Sequence, residues 1–240
     1  MEAFEQFVQR VAAAFGLRIA RINRPPVHRP PSPLVHHGID LLLDVGANVG
    51  QYAMRARAAG YTGDIVSFEP LPVAHAALLE AARDDPRWRV HPRCAVGAAP
   101  GSAEINVASN SFSSSLLPML DAHADAAPHS VYVGKTLTEV VTLDAVIDGY
   151  RRRDQKVFLK VDTQGFEAQV LDGARATLEH VVAVQLELSL VPLYAGQQLY
   201  RHFLDFFAAR GFELWSLEEG FVDPRSGRML QFDAVFARGA

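Results

Sequence analysis

The 240-residue sequence predicts an α/β fold built on a seven-stranded, mostly parallel sheet that ends in an antiparallel hairpin. Three observations predict it. From residue 39 onward, short apolar runs alternate with segments of helical period, the signature of strand–helix–strand units. The first run empties into a glycine-rich turn, DVGANVGQYA, at residues 44 to 53. The last two runs are joined by a segment too short for a helical crossover, so they should pair antiparallel.

Taken in order, strands are expected at IDLLLDV (39 to 45), DIVSFE (64 to 69), WRVHPRC (88 to 94), KVFLKVD (156 to 162) and VVAVQLELS (181 to 189). Helices fill the gaps at about 50–59, 72–83, 142–150, 166–179 and 198–210. The hairpin is expected at FELWSLE (212 to 218) and LQFDAVFAR (230 to 238), joined through the Asp-Pro and Ser-Gly turn formers of EGFVDPRSGR. A plain dinucleotide-binding fold keeps its sixth strand parallel, whereas five parallel strands closed by an antiparallel hairpin is the layout of class I methyltransferases. Between 95 and 141 the rhythm breaks: SAEINVAS alternates like a half-exposed strand, NSFSSS is a polar loop and TEVVTL is a short strand. An insertion after the third strand lies on the ligand-binding edge of such a sheet and is the natural place for substrate contacts.

Two regions are expected. In residues 1–35, Phe4, Phe7, Val8, Val11 and Phe15 form one face of an amphipathic helix that ends near Gly16, and RPPVHRPPSP (24 to 33) is a stiff, extended linker. Residues 36–240 form the main domain.

Composition narrows the function. A chain this long buries about three quarters of its unfolded surface without a disulfide or metal staple. Apart from Arg151 to Arg153, the net charge of −4 contains no basic cluster, which argues against nucleic acid as a partner. No apolar run reaches the roughly 18 residues needed to span a bilayer. The single cysteine, Cys94, cannot form an intrachain disulfide, and Glu2 and Glu5 stand where a secretory leader carries positive charge, so a cytoplasmic location is expected.

The glycine turn has the spacing G-x-N-x-G, with Gly46, Ala47, Asn48 and Gly50. Gly46 permits a tight turn and Gly50 opens the next helix. Asp44 ends the strand itself, where a carboxylate repels a pyrophosphate and attracts a cationic ligand such as the ammonium or sulfonium of S-adenosylmethionine. The second strand ends in Glu69, followed by Pro70, at the distance where an acid accepts hydrogen bonds from ribose hydroxyls. Cys94, Ala95 and Val96 are small and apolar at the end of the third strand and suit an adenine slot; for Cys94 core packing explains the residue equally well. Asp162 reaches the carboxyl edge at the end of the fourth strand, and Glu187 sits late in an otherwise apolar fifth strand. Asp44, Asp162 and Glu187 are therefore expected to converge, as a base, as partners of a cationic cofactor, or as oxygen ligands of a magnesium ion. These roles stay open between them. Glu167, at the start of a helix, reads equally as a first-turn cap. Of the nine histidines, His28, His36, His37 and His91 read as structural or solvated, while His123 and His129 lie in the insertion, where one could serve as base.

The blocks LLLDVGANVGQYA, GDIVSFEPL, NSFSSSL, FLKVDTQGFEAQVLDGA, VQLELSLVPLY and SGRMLQFDAVFAR, in that order, resemble the FkbM family of S-adenosylmethionine-dependent methyltransferases over residues 39 to 238. The resemblance implies a Rossmann-like class I methyltransferase acting on a hydroxyl of a sugar or polyketide-type natural product. It implies that Asp44, Gly46, Asn48 and Gly50 surround the methionine part of the cofactor and Glu69 its ribose. It also implies that the loop around Ser113, Ser114 and Ser115 closes over the site and that Asp162 lies near the transferred methyl. The N-terminal arm lies outside the resemblance, and its role as a lid or as the contact of a homodimer is open. Two other readings stand beside this one: a scaffold protein that binds the cofactor without turnover, and a nucleotide-sugar oxidoreductase, which Asp44 and the G-x-N-x-G spacing disfavour.

Overall fold

The structure, a computed structural model, describes residues 32–239. The expected N-terminal helix and nearly all of the proline linker lie outside the described residues. Along the chain, α1 (Pro33–His36) leads into β1 (Leu41–Val45), α2 (Gln51–Ala58), β2 (Asp64–Phe68), α3 (Pro72–Ala82) and β3 (Trp88–Val90). An insertion follows, with β4 (Cys94–Val96), β5 (Gly101–Ala108), α4 (Asp121–Ala126) and β6 (Tyr132–Val141). The fold resumes with α5 (Leu143–Val146), β7 (Val157–Val161), α6 (Glu167–Asp172), β8 (Val181–Ser189), α7 (Tyr200–Ala208), β9 (Phe212–Glu219) and β10 (Gln231–Arg238).

The main sheet runs β3-β2-β1-β7-β8-β10-β9. The first five of these pair in parallel, while β10 is antiparallel to both β8 and β9. Both faces of the central strands β1, β2 and β7 are buried, so these strands read as nearly continuous apolar runs, while the edge strand β9 is largely exposed. In β1, Leu41, Leu43 and Val45 join the core shared with α6 and α7, while Leu42 joins the one packed on α2 and α3. Asp44 is the polar exception on the α2 face. Strand order reverses between β1 and β7, whose following connections leave in opposite directions and open a crevice at the carboxyl edge. Among the described residues no helix is long and apolar enough to cross a membrane.

The structure amends the expected elements in three places. The third strand breaks: Trp88–Val90 stays in the main sheet, while Cys94–Val96 moves to a second, three-stranded sheet of order β4-β6-β5. Pro92 lies between them and has no N–H to continue the ladder. The helix expected over 142–150 is one α turn capped by Thr142, continued by a tighter turn at Ile147–Gly149. The helix expected over 166–179 stops at Asp172. Gly173 follows as its C-cap, and a β-carbon there would lie 2.0 Å from the carbonyl oxygen of Gly97, so the main chains of two segments touch and only glycine fits.

Candidate active site

A cavity of about 350 Å³ opens at the carboxyl ends of β1, β2 and β7, roofed by the insertion. Its glycine turn is shaped by backbone geometry. Gly46, Asn48 and Gly50 all have positive φ, at 76°, 49° and 92°, a region that asparagine tolerates better than most side chains. Gly46 lines the cavity, but Gly50 does not; a β-carbon there would come within 2.7 Å of the Trp88 ring, so Gly50 serves helix packing.

Glu69 is buried and also on the cavity wall. Its two oxygens accept the N–H groups of Asn48 and Leu71, each at 2.8 Å, which ties the glycine turn to the end of β2. Burial pushes its carboxyl up to about 7 against the pull of these two N–H groups. Ala47, Asn48, Pro70, Cys94, Ala95, Ser114 and Asp162 also line the cavity. The Cys94 thiol, pushed up to about 12 by burial and by the nearby acids Glu139 and Glu69, is an apolar filler.

The expected meeting of Asp44, Asp162 and Glu187 takes a different form. Register places Asp44 opposite Lys160 of β7, on one face of the sheet. The Lys160 ammonium lies 3.5 Å from Asp44 Oδ1, 3.4 Å from Asp162 Oδ2 and 3.3 Å from the Gly46 carbonyl oxygen. Asp44 is fully buried behind it and does not reach the cavity. Burial raises the Asp44 carboxyl, Lys160 opposes that rise and Asp162 adds to it. For Lys160, burial acts to lower its pKa, and the charges of Asp162 and Asp44 outweigh it and hold it above the ordinary lysine range. The acid of the glycine motif therefore meets a lysine of its own chain rather than facing the cavity.

Glu187 lies outside the cavity wall, with Gln164 between it and Asp162. The Gln164 Nε2 amide donates to Asp162 Oδ1 at 2.9 Å and to Glu187 Oε2 at 2.7 Å. The Gln164 Oε1 accepts the Tyr194 hydroxyl at 2.8 Å, and its main-chain oxygen accepts the Ser115 hydroxyl at 2.7 Å. Burial and the charges of Asp162, Asp233 and Glu167 push the Glu187 carboxyl well above the ordinary range. Glu167 takes the cap reading: its Oε1 accepts from the Thr163 and Gly165 N–H groups, both at 3.0 Å.

His123 is buried in α4 between the rings of Tyr194 and Phe221, each at 5.3 Å, and is not on the cavity wall. Burial depresses its basicity. The expected role as base has no geometric support, because Tyr194 stands between this imidazole and Gln164. Among the described residues no group of three or more His, Cys, Asp or Glu is placed to hold a metal ion.

The wall also holds polar and charged residues that the sequence does not single out, among them Lys160, Gln164, Gln51, Arg55 and Ser111. Ser111 exchanges hydrogen bonds with the Asn48 amide, at 3.0 and 3.2 Å, latching the serine loop to the glycine turn. Ser115 holds the other end of the loop to Gln164. Between them Phe112, 60% exposed, stands at the cavity mouth.

A family model described as the methyltransferase FkbM domain matches residues 44–214. No curated protein matches at a significant level. Among solved structures, TehB from Haemophilus influenzae is 10% identical with a TM-score of 0.47, over 86% of this chain and 60% of that one. A candidate RNA methyltransferase from Pyrococcus horikoshii is 12% identical with a TM-score of 0.45, over 86% and 79% of the two chains. A candidate tRNA (m1A22) methyltransferase from Streptococcus pneumoniae, crystallised with S-adenosyl-L-methionine, is 12% identical with a TM-score of 0.45, over 82% and 65%. The family match runs from the carboxyl end of β1 into β9, well over half of the sequence, and the chain belongs to the FkbM family of S-adenosylmethionine-dependent methyltransferases.

Proposed function

We propose that this enzyme transfers the methyl group of S-adenosylmethionine to a hydroxyl of a small-molecule acceptor, a sugar or a polyketide-type natural product. The observation that carries this reading is the position of Asp162. Of the residues weighed as base, Asp44, Asp162, Glu187, His123 and His129, it alone lines the cavity, and its side chain is 36% exposed.

The wall fits the cofactor. A cavity of about 350 Å³ falls within the roughly 300–1,000 Å³ of small-molecule sites. Val45, Phe68, Cys94, Val96 and Ile105 offer apolar surface for a flat heterocycle. The Glu69 oxygens each accept one main-chain N–H and keep a lone pair for ribose hydroxyls. When bound, S-adenosylmethionine supplies a methyl group activated by a positively charged sulfur.

The residues do the remaining work. Asp162 accepts the proton of the acceptor hydroxyl at a carboxylate oxygen. Gln164 fixes that carboxylate through Oδ1, and positioning of this kind dominates an in-line displacement. The serine loop excludes water, and Phe112 offers a flat apolar face to the acceptor's carbons. Radiolabelled methyl transfer, screened over methyl glycosides and hydroxylated polyketides, tests the reading. Turnover on hydroxyl acceptors, lowered about a hundredfold or more by Asp162→Asn, is the expected result. Transfer only to amines or thiols would overturn it.

A further inference from the structure

Lys160 is a buried charge on the cavity wall, which it shares with the exposed Arg55. Its side chain is only 8% exposed, yet it lines the cavity. Charge-assisted N–H···O contacts run about 2.7–2.9 Å when the pair is closed. Other pairs of this chain reach that distance: the part-buried Arg57 with Asp85 and the exposed Lys135 with Glu104 both stand at 2.7 Å. The buried ammonium does not. Its contacts to Asp44, Asp162 and the Gly46 carbonyl are 3.5, 3.4 and 3.3 Å. A buried ion is costly unless closely paired, so a lysine held this loosely has unspent capacity facing the cavity.

A second observation lies on the same wall. Gln51, the first residue of α2, has a buried Oε1 without a hydrogen-bond partner among the described residues. The neighbouring Tyr52 ring stands 5.5 Å from the Lys160 ammonium, so the lysine and the first turn of α2 border the same end of the cavity. That end offers a loosely held cation and an unpartnered amide acceptor. The ligand chemistry that satisfies both is an α-amino acid head group, with one carboxylate and one ammonium on the same carbon.

Building on the cofactor reading above, we propose that Lys160 binds the carboxylate of the cofactor's amino acid head group and that Gln51 Oε1 accepts from its ammonium. Asp44 then acts behind the lysine: it keeps the ammonium charged and positioned without touching the ligand.

Calorimetry with two ligands tests this. S-adenosylhomocysteine carries the head group, and 5′-methylthioadenosine lacks it. Lys160→Met is expected to weaken the first at least tenfold and to leave the second within twofold, and Lys160→Arg is expected to recover part of the loss. Because removing Lys160 alone strands a buried Asp44 charge, D44N/K160M is measured alongside and is expected to show the same ligand split. Equal weakening of both ligands, or of neither, in the folded variants would overturn the proposal and leave the cofactor reading standing. Failure of the wild-type protein to bind either ligand would overturn both.

Discussion

A β-carbon on Gly46 would lie 1.9 Å from the carbonyl oxygen of Asp162, so the turn leaving β1 and the segment leaving β7 meet backbone to backbone at the edge of the cavity. This contact sets the width of the site where strand order reverses. It also removes any freedom at position 46, whose φ of 76° is itself unfavourable for a side chain. Gly46→Ala is expected to cost on the order of 2–5 kcal/mol of stability. It should also abolish S-adenosylhomocysteine binding in whatever fraction stays folded. Thermal unfolding and calorimetry on the same preparation check both parts.

Glu167 makes stability depend on pH. Its carboxyl is pushed up to about 7 in the fold from an ordinary 4.5, chiefly by burial, so the folded state holds the proton more tightly than the unfolded chain. The stability this contributes is full below about pH 4.5 and is lost as pH rises through about 7, a change on the order of 3 kcal/mol for such a shift. Glu69 shifts in the same direction and to the same value. Wild-type melting temperature should therefore fall between pH 5 and pH 8. In Glu167→Gln, which keeps an acceptor for the Thr163 and Gly165 N–H groups, part of that slope should disappear, the rest belonging to Glu69 and to the other buried acids with raised carboxyls, Asp44, Glu187 and Asp233.

At Glu69 the same titration governs ligand binding with the opposite sign. Ribose hydroxyls donate to the ionised carboxylate, so affinity for S-adenosylhomocysteine should rise as pH passes through about 7. The rise should vanish in Glu69→Gln, and calorimetry at pH 6 and pH 8 reads it directly.

Gln164 holds two carboxylates apart from each other with one amide. Gln164→Leu leaves Asp162 and Glu187 without that donor and the Tyr194 hydroxyl with only the longer contact to the Ser113 carbonyl oxygen, a loss of about 2–4 kcal/mol. Gln164→Glu places a third acid between them and should destabilise more at pH 8 than at pH 5. Chemical denaturation of both variants at the two pH values distinguishes this network from simple packing.

The latch between Asn48 and Ser111 joins the serine loop to the glycine turn through two hydrogen bonds. Ser111→Ala should weaken S-adenosylhomocysteine binding by roughly fivefold, the worth of about one net hydrogen bond, with little change in melting temperature. Asn48→Ala should do worse than Asn48→Gly, because glycine accepts the positive φ and alanine does not.

The parts of this molecule legible in its sequence are those fixed by local pattern. The strands β1 and β8 lie in apolar runs long enough to mark a doubly covered sheet, and the hairpin of β9 and β10 follows from its short connection. Glu167 as a cap was also readable, since Thr163, Gly165 and Glu167 are neighbours in the chain. The break after β3 had its signal in Pro92. The charge arrangement of the site had no such signal. Lys160 alternates with Leu159 and Val161 like a solvent-facing strand residue, and only the pairing of β1 with β7, 116 positions apart at Asp44 and Lys160, brings it under the glycine motif. His123 is the converse: its place in a polar insertion suggested a base, but the packing of α4 against Tyr194 and Phe221 buries it.

The proposed function requires the cavity between β1 and β7 to hold S-adenosylmethionine. Titration of the folded wild-type protein with S-adenosylhomocysteine tests it most directly. Binding with one-to-one stoichiometry in the micromolar range, lost in Gly46→Ala, is the predicted result. No binding to folded protein, or tight binding of NADH in its place, would contradict it.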